Sequence, residues 1–411
     1  MNERFYKIFY VTLLGLLTAF GPVCSDIYLP ALPEITAYFK SDPSYMQLSL
    51  TSCFIGIAAG QFMMGPISDS LGRKLPLLFS LLLFALASWL CARCTSVGML
   101  IVIRFFQGLA GGAGIVIAKA MACDVFSGHE LTRFISVLMS INASAPVVAP
   151  FIGAGLITFL PWPWLFYAMG LWGLVMFVCS CSPTLVPETL KQRAEGNAIK
   201  SALRDFASGL GSMRFFLMVM VYACLNMGFF GYLADSPFIF QGVYGFSPAG
   251  YSVIFSVFSL TIALCSLAGG RLSERIGEVQ VVIYSLLVMF VCSCGVLAVA
   301  LLNPVSPVYA LVLLLVYGGA SGASFTAGFT LAITLRTAGT GAASGFFGVM
   351  TYMFGACAMP LMGLMGELSF VPLGIDLVLS TIVAAVLFRI SASMGEPLEV
   401  LIEQKSISGD A

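Results

Sequence analysis

The chain has 411 residues, of which 59% are hydrophobic and 9% charged, with 19 basic and 19 acidic side chains in balance. An ordinary soluble domain carries about 25% charged residues, and no core of this size absorbs that much apolar surface, so lipid is the expected solvent. Zero net charge without a basic stripe argues against nucleic acid, and a single histidine excludes a histidine metal cluster.

A helix crosses the hydrocarbon in about 20 residues. The first predicted span is 8–30; it lacks an Ala-x-Ala cleavage pattern and reads as a permanent helix rather than a leader. Spans at 45–68, 75–94, 99–120, 134–159 and 163–182 follow. A polar stretch, 183–212, then precedes spans at 213–236, 248–270, 280–302, 307–329, 341–365 and 371–392. The predicted architecture is an all-α membrane protein of twelve transmembrane helices in two pseudo-symmetric six-helix bundles. Its parts are an N-terminal bundle (1–182), a cytoplasmic linker (183–212) and a C-terminal bundle with a short cytoplasmic tail (213–411). The 12 cysteines, among them Cys91, Cys94, Cys179, Cys181, Cys292 and Cys294, lie in or beside apolar runs and read as small packing residues, not metal ligands.

Basic residues set the expected orientation. With both termini inside, sixteen Lys and Arg fall on cytoplasmic segments, only Lys40 and Arg93 stay outside, and Arg104 lies within a span. The halves echo each other. Gly65-Pro-Ile-Ser-Asp-Ser-Leu-Gly-Arg-Lys74 after span two is matched by Gly269-Gly-Arg-Leu-Ser-Glu-Arg-Ile-Gly277 after span eight. Asp26 and Pro30 close span one, as Asp235 and Pro237 close span seven. Such repeats are how transporters place a site near the bilayer midplane.

These motifs carry a resemblance. Over nearly its whole length the chain resembles the major facilitator superfamily, through the Gly65–Lys74 loop and Arg104-Phe-Phe-Gln-Gly-Leu-Ala-Gly-Gly-Ala-Gly114. Ala145-Pro-Val-Val-Ala-Pro150 with Gly153 and Gly155 resembles the antiporter signature of span five. Ser25-Asp-Ile-Tyr-Leu-Pro-Ala-Leu-Pro33 and Leu160-Pro-Trp-Pro-Trp-Leu-Phe166 are most similar to the bicyclomycin and chloramphenicol resistance exporters, the Bcr/CflA group. Two positions depart from the pattern: Asn142 or Ala143 stands where span five has its first Gly, and Cys123 stands where an Arg precedes Asp124. The resemblance implies a non-enzymatic, proton-coupled antiporter that exports small amphipathic compounds or antibiotics by alternating access. It would work in the bacterial inner membrane as a monomer, with protons, a drug-like substrate and the bilayer as partners. No Gly-rich Lys-Ser/Thr motif appears, so no nucleotide or other cofactor is expected. Proton-coupled uptake of a metabolite is the competing function.

Asp26 is the expected main proton-coupling residue: a carboxylate at membrane depth is costly unless it is protonated or faces a polar cavity. Arg104 is expected at similar depth, able to approach Asp26, with Asp235 as a second acid in the other half. Substrate-cavity candidates are Tyr28, Gln107, Tyr222, Asn226, Phe230 and Tyr232, polar or aromatic groups close to the acids. Asp69, Gly72, Arg73 and Lys74, with Asp124 and Arg133, are read as a conformational latch. Asp69 is expected to cap the next helix or pair with an arginine, and Arg133 is a partner for it or Asp124. Pro146 and Pro150 are expected to kink span five, while Gly153, Gly155 and the glycines of span four allow close helix approach.

Overall fold

A computed structural model of the chain describes residues 3–183, 185–190, 211–302, 306–335, 340–364 and 369–394. These residues form helices and no strands. The structure divides into two units, Met1–Leu203 with Ser247–Ser256, and Arg204–Phe246 with Val257–Ala411. Most of the expected linker, with Lys191, Arg193, Lys200 and Arg204, lies outside the described residues, as does most of the tail.

In the first unit the helices are α1 (Glu3–Thr18), α2 (Phe20–Asp26), α3 (Leu32–Tyr38), α4 (Pro43–Leu71), α5 (Lys74–Cys91), α6 (Val97–Val125), α7 (Gly128–Phe159) and α8 (Pro163–Cys181). The later helices are α9 (Met213–Pro237), α10 (Pro248–Ile276), α11 (Glu278–Leu302), α12 (Val308–Thr334), α13 (Thr340–Leu364) and α14 (Val371–Ser393). Eleven helices among the described residues are long and apolar enough to cross a membrane. The pair Ile8–Thr18 and Phe20–Tyr38, bent by 47° at its break, makes a twelfth. Several outrun their predicted bounds. α6 has 29 residues, roughly 43 Å at 1.5 Å per residue, and so reaches past the hydrocarbon. Hydropathy registers only the apolar middle, whereas a capping residue marks where the helix starts: the Ser96 hydroxyl accepts from the Met99 N–H, and that of Ser212 from the Phe215 N–H.

α4 and α6 interlock through four glycines. A methyl at Gly56 or Gly60 would overlap the Phe105 or Leu109 carbonyl of α6, and one at Gly108 or Gly112 the Cys53 or Ile57 carbonyl of α4. Small residues at i and i+4 on both helices let the two backbones touch, the packing expected of span four. Gly153 of α7 has the same role against the Ile27 carbonyl, but Gly155 faces open space and packs nothing. Of the two tryptophans in the Leu160–Phe166 motif, Trp164 is exposed, while Trp162 is buried against Tyr38, Phe39 and Phe166.

Candidate functional site

The first span does not run as one helix, and its prolines say why. Pro22 has no N–H to give the Thr18 carbonyl one turn back, and the helix breaks between Thr18 and Phe20. The freed Thr18 carbonyl takes a 2.6 Å hydrogen bond from Nδ2 of Asn142 on α7. Asn142, one of the two residues in the place of the signature glycine, thus closes the gap that Pro22 opens. Pro30 likewise has no N–H for the Asp26 carbonyl, and α2 ends at Asp26 before a 3₁₀ turn, Leu29–Ala31. Pro146 and Pro150 lie inside α7, which stays one helix through both.

Asp26 is therefore the last residue of a seven-residue helix, only 3% exposed, with Oδ1 accepting a 2.7 Å bond from the Ser25 hydroxyl. Arg104 is fully buried nearby, yet the two form no ion pair, contrary to the approach expected from their depths. Its Nη1 donates to the Cys24 carbonyl and to Oε1 of Gln107, both at 2.7 Å. Its Nε and Nη2 have no hydrogen-bond partner. The guanidinium lies instead 4.8 Å from the Tyr28 ring centre and 5.9 Å from that of Phe166, where the aromatic faces supply negative potential. Gln107 passes the network on, its Nε2 donating to Ser88 at 2.8 Å. Tyr28 is tied to Ser49 at 3.1 Å and to the Met46 sulfur at 3.2 Å. Tyr28 and Gln107, expected to line a cavity, are thus walls and struts of a closed arginine cage. The Cys24 and Cys53 sulfurs touch at 3.5 Å beside it.

The open space lies elsewhere. An apolar cleft of about 380 Å³ is lined by Leu16, Ala19, Val23 and Ile27 of the broken span, by Ile141, Ala145, Val148 and Ile152 of α7, and by Met169 and Trp172 of α8. It flanks the break and comes within one residue of Asp26 in sequence. Little in the polar residue types of this region signals it. Pro22 was the available clue.

In the second unit Tyr222 and Asn226 do line a cleft, with Phe229, Ser266, Ser321 and Phe325. Phe230 and Tyr232 belong to the aromatic core, Tyr232 against Phe258 at 4.2 Å and Phe230 against Tyr352 at 5.9 Å. Asp235 is 1% exposed, well inside the protein. Span seven runs on past its predicted end through a π turn, Phe238–Val243. The wider turn follows Pro237 and keeps the chain helical beyond it. Asp376 of α14 is also buried.

The latch residues gather at the turn between α4 and α5. Gly72 has φ of 95°, a region closed to most side chains. Arg73 holds two acids, Asp69 through Nη1 at 2.5 Å and Asp124 through Nε at 2.9 Å. Asp124 also accepts from the Thr189 hydroxyl at 2.9 Å. Arg133 is exposed and pairs with neither acid: Arg73 is close and already enclosed by both. Asp69 does not cap α5, because Glu188, from beyond span six, does so. Its Oε1 accepts from the Arg73 N–H at 2.9 Å and its Oε2 from that of Lys74 at 3.1 Å. Lys74 Nζ in turn donates to the Cys181 and Val186 carbonyls at 3.1 and 2.9 Å. Partial burial pushes the Glu188 carboxyl up, but backbone N–H groups of Leu190, Arg73, Lys74 and Thr189 outweigh it and hold it below its ordinary range. Glu188 was missed, since nothing in sequence joins a polar linker to a turn more than a hundred residues earlier. In the second copy of the loop, the Gly269–Gly277 echo, Arg271, Glu274 and Arg275 are exposed and form no ion pair among the described residues, so the echo in sequence does not carry the charge cluster with it.

Up to twelve helical spans among the described residues that are long and apolar enough to cross a membrane make this a multi-pass membrane protein by architecture. The family model described as Major Facilitator Superfamily matches residues 14–360 and 237–395, and the chain belongs to that superfamily. It is 32% identical over 379 residues to the uncharacterized MFS-type transporter YdgK of Bacillus subtilis, covering 92% of this chain and 93% of YdgK. It is 29% identical over 307 residues to the bicyclomycin resistance protein homolog of Haemophilus influenzae, covering 74% and 76%. Among solved structures, a bacterial homolog of the human lysosomal transporter Spinster shares the fold with a TM-score of 0.76 at 13% identity, covering 95% of this chain and 98% of that one. The resemblance to the bicyclomycin resistance group read from the motifs is borne out, and the chain is a transporter, not an enzyme.

Proposed function

We propose that the chain is a proton-coupled antiporter that exports small amphipathic compounds, antibiotics among them, across the bacterial inner membrane, with Asp26 as its main proton-coupling residue. Both termini are placed in the cytoplasm, a monomer is the working unit, and its two six-helix halves give alternating access to the substrate. The observation that carries the reading is Asp26 itself. It is enclosed at a proline-made helix end, beside a large apolar cleft, and no cation touches it. A carboxylate so placed is costly, whereas a carboxylic acid or a carboxylate facing a cationic ligand is not. Proton and substrate thereby compete for one group, which is the requirement of exchange. The apolar cleft suits varied amphipathic guests. Arg104, caged two residues away on the Cys24 carbonyl, acts as the fixed positive pole that positions this segment. Support for drug-like cargo comes from the bicyclomycin resistance homolog in Haemophilus influenzae.

The test uses inverted membrane vesicles energised by a pH gradient, with ethidium as a cationic probe and chloramphenicol as a neutral one. The parent should concentrate at least one of them, and Asp26→Asn should lose uphill transport of both while keeping residual binding of chloramphenicol. Asp26→Glu should retain part of the activity with an altered pH profile. Concentration by D26N equal to the parent's would make Asp26 structural and leave Asp235 as the next candidate.

A further inference from the structure

The second unit holds an acid that the reading above leaves idle. Asp376, in the second turn of α14, is 9% exposed, and its Oδ2 is sealed from solvent without a hydrogen-bond partner. That oxygen lies against Gly231 of α9, where an added Cβ would stand 2.7 Å from it and 3.3 Å from the Met362 sulfur. Three residues earlier Gly228 leaves the same kind of space, filled by Leu377, the Tyr317 hydroxyl and Ser380. Two glycines on one face of α9 thus form a hollow, and much of what fills it is polar. A hollow made for packing alone would hold aliphatic groups, and a structural aspartate would have both oxygens bonded.

No cation is at hand. Of the helices packed against α14, α9 carries Arg214 seventeen residues before Gly231, roughly 25 Å along the axis. α11 carries Glu278 at its first residue but meets α14 at Leu297, and α12 and α13 have no charged residue. On α14 itself Arg389 is thirteen residues on, roughly 20 Å away. The titratable groups that remain are Tyr317, which lies close enough to interact with Asp376, Cys292 beside Tyr317, and Asp235 one turn beyond Gly231 on α9. Tyr352 of α13 is taken up in packing on Phe230. None of these supplies positive charge. A lone carboxylate there is expensive, and the neutral acid is the form this site can hold.

We infer that Asp376, set in the hollow of Gly228 and Gly231, is a second proton-binding site, in the other unit from Asp26. It is a carboxylic acid while closed and gives its proton to water, leaving a carboxylate, when the hollow opens. The inference rests on the proton-coupled reading and adds to it a proton carried in the second half. The experiment is infrared difference spectroscopy of the purified full-length protein in lipid nanodiscs, stepped from acidic to alkaline buffer without ligand. The parent should lose carboxylic-acid carbonyl bands from both acids. Asp376→Asn should lack one such band, and Asp26→Asn another. Asp376→Glu should keep a band at shifted frequency, so it carries the test if D376N does not purify in folded form. Spectra of D376N or D376E superimposable on the parent's overturn the inference. If D376N removes nothing while D26N removes its band, only the assignment of Asp376 fails. If D376N removes a band while D26N removes none, Asp376 stands and the reading of Asp26 fails.

Discussion

At the scale of single residues the α4–α5 turn ranks its own charges. Asp69 is itself exposed where it meets the buried Arg73, so water screens this pair and it contributes at most about 1 kcal/mol. Asp124 accepts from Arg73 and Thr189 in a half-buried setting, so Asp124→Asn should cost about 1–3 kcal/mol and Asp69→Asn clearly less. Thermal melts of the two variants in detergent check the order, and equal losses would refute it. Gly72→Ala puts a side chain into a region reserved for glycine, at about 1–3 kcal/mol, and drives its methyl against the Glu188 carboxylate. Glu188 makes the turn pH-sensitive. Its carboxyl is held below the ordinary range, so its contribution is complete above the unfolded value near 4.3 and is lost as pH falls through the lower folded value. Glu188→Gln should therefore melt lower than the parent at neutral pH, and the gap should close in acid. A gap that stays constant down the acid limb would show that the carboxylate is not the stabilising form.

Among the helices, the break in span one depends on a single amide. Asn142→Leu leaves the Thr18 carbonyl without its partner inside the protein and should cost about 1–3 kcal/mol. Asn142→Gly puts a glycine at one of the two positions that stand for the signature residue but also removes the amide, so it should destabilise this chain rather than improve it. Melting both variants beside the parent decides this, and a more stable N142G would show that the amide is dispensable. The pattern of prolines at 22, 30 and 33 was legible, since each has a carbonyl four residues back that it cannot serve. That Asn142 answers one of them was not, because the partner is 124 residues away and only the tertiary fold brings it there.

For the whole molecule, the apolar runs, the basic bias and the echo between halves made the twelve-span plan readable, because bilayer thickness imposes one length on every crossing. Depth along a helix was readable too, and it brought Asp26 and Arg104 into one region. Direction around the helix was not, and so the expected ion pair became a carbonyl contact and two cavity residues became cage walls. The proposed orientation is checked from outside intact cells. A cysteine replacing exposed Tyr38 in an otherwise cysteine-free variant should react with an impermeant maleimide, and one replacing exposed Arg133 should not; the reverse would invert the topology. The glycine interlock of α4 and α6 also has a consequence in time. Gly56 and Gly108 are 52 positions apart, so at 5–20 residues per second α4 emerges from the ribosome roughly 3–10 s before its mate. During that interval its two notches have no backbone to fill them, only acyl chains or the insertion machinery. The nascent chain therefore passes through a stage at which the tightest helix pair of the first unit exists as one helix alone.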